Sequence, residues 1–76
     1  MASIETAGAT VPVRVNGEER AVPAGISVHG LLAHLDLHPR MVVVERNGEI
    51  LRREALGETP VEEGDAYELV HFVGGG

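Results

Sequence analysis

The chain has no cysteine, no lysine and few aromatic residues, which make up 3% of its 76 positions. Without cysteine there are no disulfides, thiolate metal sites, iron–sulfur clusters or cysteine nucleophile. A small domain lacking disulfides is expected in a reducing compartment, the cytoplasm. Without lysine, the fixed cations are six arginines. Two readings of that bias stand: a composition favouring arginine and alanine, or a chain whose own carboxyl end becomes electrophilic and gains by carrying no ε-amine. On either, it cannot build lysine-linked chains of itself. No stretch approaches the ~20 apolar residues that a membrane span needs. Met1 to Thr10 lacks the basic and long apolar regions of a secretory signal. No phosphate-cradling G-x-x-x-x-G-K loop is present. The net charge of −6 argues against nucleic acid or an anionic membrane as partner. It suits docking to a basic surface, and it also serves solubility.

What is present describes one small globular domain, 43% apolar and 24% charged. A core of this size leaves roughly 3–5 kcal/mol of stability. Met1 to Thr10 reads as a loose leader, residues 11–73 as the domain, and residues 74–76 as a flexible glycine tail. Val11, Val13 and Val15 alternate with polar residues and proline, the period of a half-buried strand. Asn16-Gly17 is a hairpin turn, with Glu18 to Pro23 as the returning strand. Val28, Leu31, Leu32 and Leu35 form one apolar helical stripe, with Ser27 as cap and His38-Pro39 as the expected stop. Gly30 inside this helix costs about 1 kcal/mol relative to alanine. Met41 to Val44, an unbroken apolar run, is expected as a strand buried in the middle of the sheet. Asn47-Gly48 leads to a short strand at Glu49 to Leu51, Glu54 to Leu56 has room for a helical turn, and Ala66 to Val73 reads as the last strand. The predicted fold class is α+β: a ubiquitin-like β-grasp, a mixed sheet of four to five strands with one main helix on one face, the first hairpin and last strand flanking the Met41 run.

Sites for a stand-alone enzyme are scarce. His34 and His38 share an i, i+4 spacing that can hold a metal on a helix, but they abut Pro39 and have no third ligand, so no metal site is expected. Glu45, Glu49, Glu54, Glu58, Glu62, Glu63, Asp65 and Glu68 are spaced mostly as a solvated face. The ending "VHFVGGG" offers more. A carboxylate is a poor electrophile, but transfer of AMP from ATP converts it to a mixed anhydride that sulfur or amine nucleophiles attack. Such a carboxylate must thread a partner's narrow channel, and glycine permits any backbone path there. Along the last strand, Tyr67 and Leu69 share one face and Val70 and Phe72 the other. With the first pair in the core, Val70 and Phe72 form a docking patch one step from the tail.

The segments "VNGEERAVPAGISVHGLLAHL", "VVVERNGEIL" and "VEEGDAYELVHFVGGG" resemble the ThiS family of sulfur carriers for thiamin biosynthesis, over roughly Val13 to Gly76. The "ERNGEI" hairpin and the "HFVGGG" ending are its most specific parts. The resemblance implies a small β-grasp protein that is a substrate rather than an enzyme. In it, Gly76 is adenylated and then becomes a thiocarboxylate, Gly74 and Gly75 thread the tail, and Val70 and Phe72 meet partners. The implied partners are an E1-like adenylyltransferase (ThiF-like), a persulfide sulfur donor and a thiazole synthase (ThiG-like). No cofactor is bound by the chain itself; ATP with Mg is used by the adenylyltransferase. The leader is longer than is typical of the family, and Gly30 stands where a helix former is common. Three alternatives remain open: a carrier for molybdopterin or another thio-metabolite, a ubiquitin-like protein modifier, and an interaction domain with an idle tail. Against the molybdopterin version, "HFV" stands where a proline-rich approach to the glycines is expected.

Overall fold

A computed structural model describes residues 8–72, so most of the leader and the tail glycines Gly74, Gly75 and Gly76 lie outside the described residues. Strand β1 (Thr10–Val15) and strand β2 (Glu18–Pro23) form an antiparallel hairpin. Its turn has φ of 52° at Asn16 and 84° at Gly17, the two positive values that a type I′ turn requires. Helix α1 (Val28–His34) follows, then β3 (Val42–Arg46), β4 (Glu49–Leu51) and β5 (Ala66–His71). The β3–β4 turn repeats the same geometry at Asn47 (51°) and Gly48 (88°). Two short 3-10 turns, Pro39–Met41 and Arg53–Ala55, sit in the connections. The leader's last expected residue, Thr10, opens β1 opposite Pro23.

The sheet order is β2-β1-β5-β3-β4, with β5 parallel to β1 and antiparallel to β3. This is the expected mixed β-grasp sheet with one correction. The middle strand is β5, not the Met41 run, and the first hairpin does not pair with β3. Met41 belongs to a 3-10 turn, and the run is not buried on both sides: Val42 and Val44 face the core while Val43 is 41% exposed. Among the described residues one short helix covers one face of the five-stranded sheet, so the pleat sends every second residue of β3 to the face it leaves uncovered.

A helix of seven residues is marginal alone and depends on packing. Val28, Leu31 and Leu32 are fully buried against Val13, Val22 and Tyr67 in the core cluster. Each buried leucine contributes about 1.5–3 kcal/mol. The free N–H groups of the first turn all find acceptors: Val28 donates to the Thr59 carbonyl, His29 to the Leu56 carbonyl, and Gly30 to Ser27 Oγ at 3.1 Å. Gly30 also has a packing reason. A Cβ placed there would lie 3.3 Å from Ile26 Cβ, closer than side chains ordinarily approach.

The helix stops at His34, before the expected His38-Pro39. Asp36 takes a left-handed conformation (φ 62°), Asp36 N–H donates to the Ala33 carbonyl, and Leu37 N–H donates to the Leu32 carbonyl. This is a Schellman ending with aspartate in the position usually held by glycine. Leu35 therefore caps the helix and is half-buried rather than completing the buried stripe.

Candidate functional site: the last strand and its uncovered face

Strand β5 leads towards the carboxyl end of the sequence, and its pleat sorts its side chains in two. Tyr67 and Leu69 face the helix and are buried, while Val70 is 60% and Phe72 39% exposed. Across the uncovered face Val70 stands opposite Val43, and Ile50, 70% exposed, stands opposite Glu45. Val43, Ile50, Val70 and Phe72 thus form an apolar patch shared by β3, β4, β5 and the residue that follows β5. Val43 and Ile50 extend the patch beyond the expected pair. For Val43 the signal is the alternation within "MVVVER", masked by its unbroken apolar run; Ile50 joins only through its pairing with Glu45. Phe72 N–H donates to the Met41 carbonyl at 3.0 Å, which keeps the chain paired with the β3 side up to the last described residue.

Two asparagines hold β5 from opposite sides. The Asn16 side chain accepts from Leu69 N–H at 2.8 Å and donates to the Leu69 carbonyl at 3.3 Å. It therefore acts as one more rung of the β1–β5 ladder, after Asn16 N–H donates to the Tyr67 carbonyl. From the other side Asn47 Oδ1 accepts from Ala66 N–H at 2.9 Å, and Asn47 N–H donates to the Ala66 carbonyl at 2.7 Å. Both residues were legible as turn formers; their second task was not, because it depends on which strand lies alongside.

Asp65, expected on a solvated face, is only 5% exposed. It accepts from Arg46 Nε (3.0 Å), Asn47 Nδ2 (3.0 Å), Glu62 N–H (2.9 Å) and Tyr67 Oη (2.8 Å). Burial alone would raise its pKa, but these donors outweigh burial and hold the carboxyl below its ordinary range. Burial first, and then the bond to Asp65, push the Tyr67 hydroxyl well above its ordinary range, so it remains a donor. The bond to Asp65 raises the Arg46 guanidinium. The network anchors the loop entering β5 to the β3–β4 hairpin and brings no reactive group to the surface. His34 and His38 do not form an i, i+4 pair on a helix: His38 lies beyond the helix end, and its Nδ1 accepts from Arg40 N–H. Among the described residues no helix is long and apolar enough to cross a membrane.

The ThiS family model matches residues 13–76, which takes in the uncovered patch and the terminal glycines. The sulfur carrier protein ThiS of Bacillus subtilis is 44% identical over 50 residues, covering 66% of this chain and 76% of that protein. A thiazole synthase of Paramagnetospirillum magneticum is 44% identical over 62 residues, 82% of this chain but 19% of that protein. A second thiazole synthase, from Magnetococcus marinus, is 41% identical over 64 residues and 20% of its length, so the chain spans about one fifth of these synthases. The crystal structure of a thiamine biosynthesis protein (ThiS) from Geobacter metallireducens superposes with a TM-score of 0.73 at 40% identity, covering 87% of this chain and all of that one.

Proposed function

The chain belongs to the ThiS family, and from that premise we propose that it is a sulfur carrier of thiamin biosynthesis, a protein substrate whose chemistry takes place at Gly76. The observation that carries this reading is the extent of the family match, which runs through the glycine ending as well as the folded domain. The reading requires a free carboxylate at Gly76. An E1-like, ThiF-like adenylyltransferase binds the domain and ATP with Mg. The Gly76 carboxylate attacks the α-phosphorus, pyrophosphate leaves, and an acyl adenylate forms. The terminal sulfur of a persulfide then attacks the acyl carbon and displaces AMP, giving an acyl disulfide. A second thiol opens that disulfide, releasing the thiocarboxylate and leaving a disulfide between the two thiols. The thiocarboxylate donates its sulfur to a ThiG-like thiazole synthase, a partner class suggested by the synthases whose sequences contain a segment like this chain.

The domain's part in this sequence is positional. Gly74 and Gly75 let the end enter a channel too narrow for side chains. The cost of ordering the tail is offset by contacts on the body, and Val70 and Phe72, with Val43 and Ile50 beside them, are the exposed apolar groups nearest the tail along the sheet. ATP–pyrophosphate exchange by the adenylyltransferase of the same organism tests the activation step. Exchange is expected to depend on this chain and to vanish when Gly76 is deleted; exchange that persists without Gly76 contradicts the reading.

A further inference from the structure

The uncovered face carries a pairing that works against the fold. Glu45 and Glu68 stand directly opposite each other on β3 and β5, two register positions from the Val43–Val70 pair and on the same face. Both point away from the helix, because their neighbours Val44, Tyr67 and Leu69 are buried on the other side. Like charges directly opposite across an antiparallel pair are destabilising. No cation relieves them: among the described residues the one ion pair is Arg46 with Asp65, on the opposite face. Arg14, which β1 places on this face between the buried Val13 and Val15, donates to the Gly17 carbonyl at 3.2 Å. Ile50 completes the row beside Glu45, so two carboxylates sit inside an apolar frame of Val43, Ile50 and Val70. Glu45 is half-buried.

We propose that the Glu45–Glu68 pair is a specificity element of the docking face, shaped for one cationic side chain, an arginine or lysine ringed by apolar groups, on the surface of the activating enzyme. This rests on the reading of the chain as an activated carrier. A guanidinium seated between the two carboxylates meets both at once, converts an internal repulsion into two attractions, and is itself desolvated by the surrounding valines and Ile50. Charge complementarity of this kind raises association rates and rejects partners that present an anion or a purely apolar surface. The overall charge of −6 acts in the same direction at longer range.

The test compares the wild-type chain with Glu45→Gln, Glu68→Gln and the double variant in thermal melting and in titration against the E1-like adenylyltransferase and the thiazole synthase of the same organism at low and high salt. The double variant is expected to melt about 2–5 °C higher, because the repulsion is gone. It should also bind about tenfold more weakly and lose much of the salt dependence shown by the wild type. An unchanged melting temperature, or an affinity within about twofold of wild type, overturns the proposal. So does retained binding to the adenylyltransferase with loss of binding to the thiazole synthase, which assigns the face to the other partner. Failure of the wild-type chain to support ATP–pyrophosphate exchange overturns the carrier reading and this inference together, whereas equal exchange by wild type and double variant at carrier concentrations well below saturation overturns this inference alone.

Discussion

Asp65 binds together three parts of the chain: its own loop through Glu62, the β3–β4 hairpin through Arg46 and Asn47, and β5 through Tyr67. Replacing it with asparagine leaves the shape but removes the charge that balances Arg46 and satisfies donors on four residues. Asp65→Asn is expected to cost about 2–4 kcal/mol, read from chemical denaturation. The pH dependence follows from the depressed pKa of Asp65. A carboxyl whose pKa is lower folded than unfolded stabilises the fold above its unfolded value, and that contribution is lost as pH falls through the folded value. Stability is therefore expected to decline as pH drops below the ordinary aspartate value of 3.8, and Asp65→Asn should flatten that part of the profile. None of this was legible in the sequence, where Asp65 is one acidic residue in a run of them. Its partners Arg46 and Asn47 lie 19 and 18 residues away and reach it only once β3 and β5 are neighbours. By contrast Ser27 could be read directly, since capping involves only the next three residues.

At the level of elements, the two Asn-Gly hairpins and the start of the helix were readable because their signals are local and each residue's conformational preference decides the outcome. The end of the helix was not. Proline at position 39 marks where a helix must already have stopped, but the actual stop is the left-handed turn at Asp36, a residue that enters this region only with local help. Leu32 and Leu37, the two residues bracketing that turn in the Schellman pattern, both belong to or pack against the core and supply that help. Asp36→Gly is accordingly expected to stabilise the domain by about 0.5–1 kcal/mol, seen as a higher urea midpoint with an unchanged slope. A similar competition decides Gly30. The helix-propensity gain of about 1 kcal/mol from alanine is opposed by the contact with Ile26, so Gly30→Ala should change stability by less than that gain when measured in the same way.

On the scale of the whole molecule, strand order was the part of the fold that local pattern could not supply. An apolar run of four reads equally as a central strand or as a one-sided strand with valine on both faces, and only the number of helices available for cover distinguishes them. Among the described residues one helix covers one face of the sheet, and the other face carries Val43, Ile50, Val70 and Phe72. The alternation of "YELVHF" was enough to separate Tyr67 and Leu69 from Val70 and Phe72, which is why that half of the patch was legible. Because Val70 and Phe72 are exposed, Val70→Asp and Phe72→Asp should leave the melting temperature near wild type while weakening adenylyltransferase binding about tenfold or more in a titration. A loss of folding in step with binding would instead assign these residues to the core.

The most direct measurement of the central claim is the intact mass of the chain after incubation with ATP, Mg, a persulfide-generating sulfur source with reductant, and the E1-like adenylyltransferase of its organism. The account predicts a gain equal to the replacement of one oxygen by sulfur, located at Gly76 by fragmentation and absent when Gly76 is deleted. An unchanged mass, from a folded chain that binds the active enzyme, would contradict it.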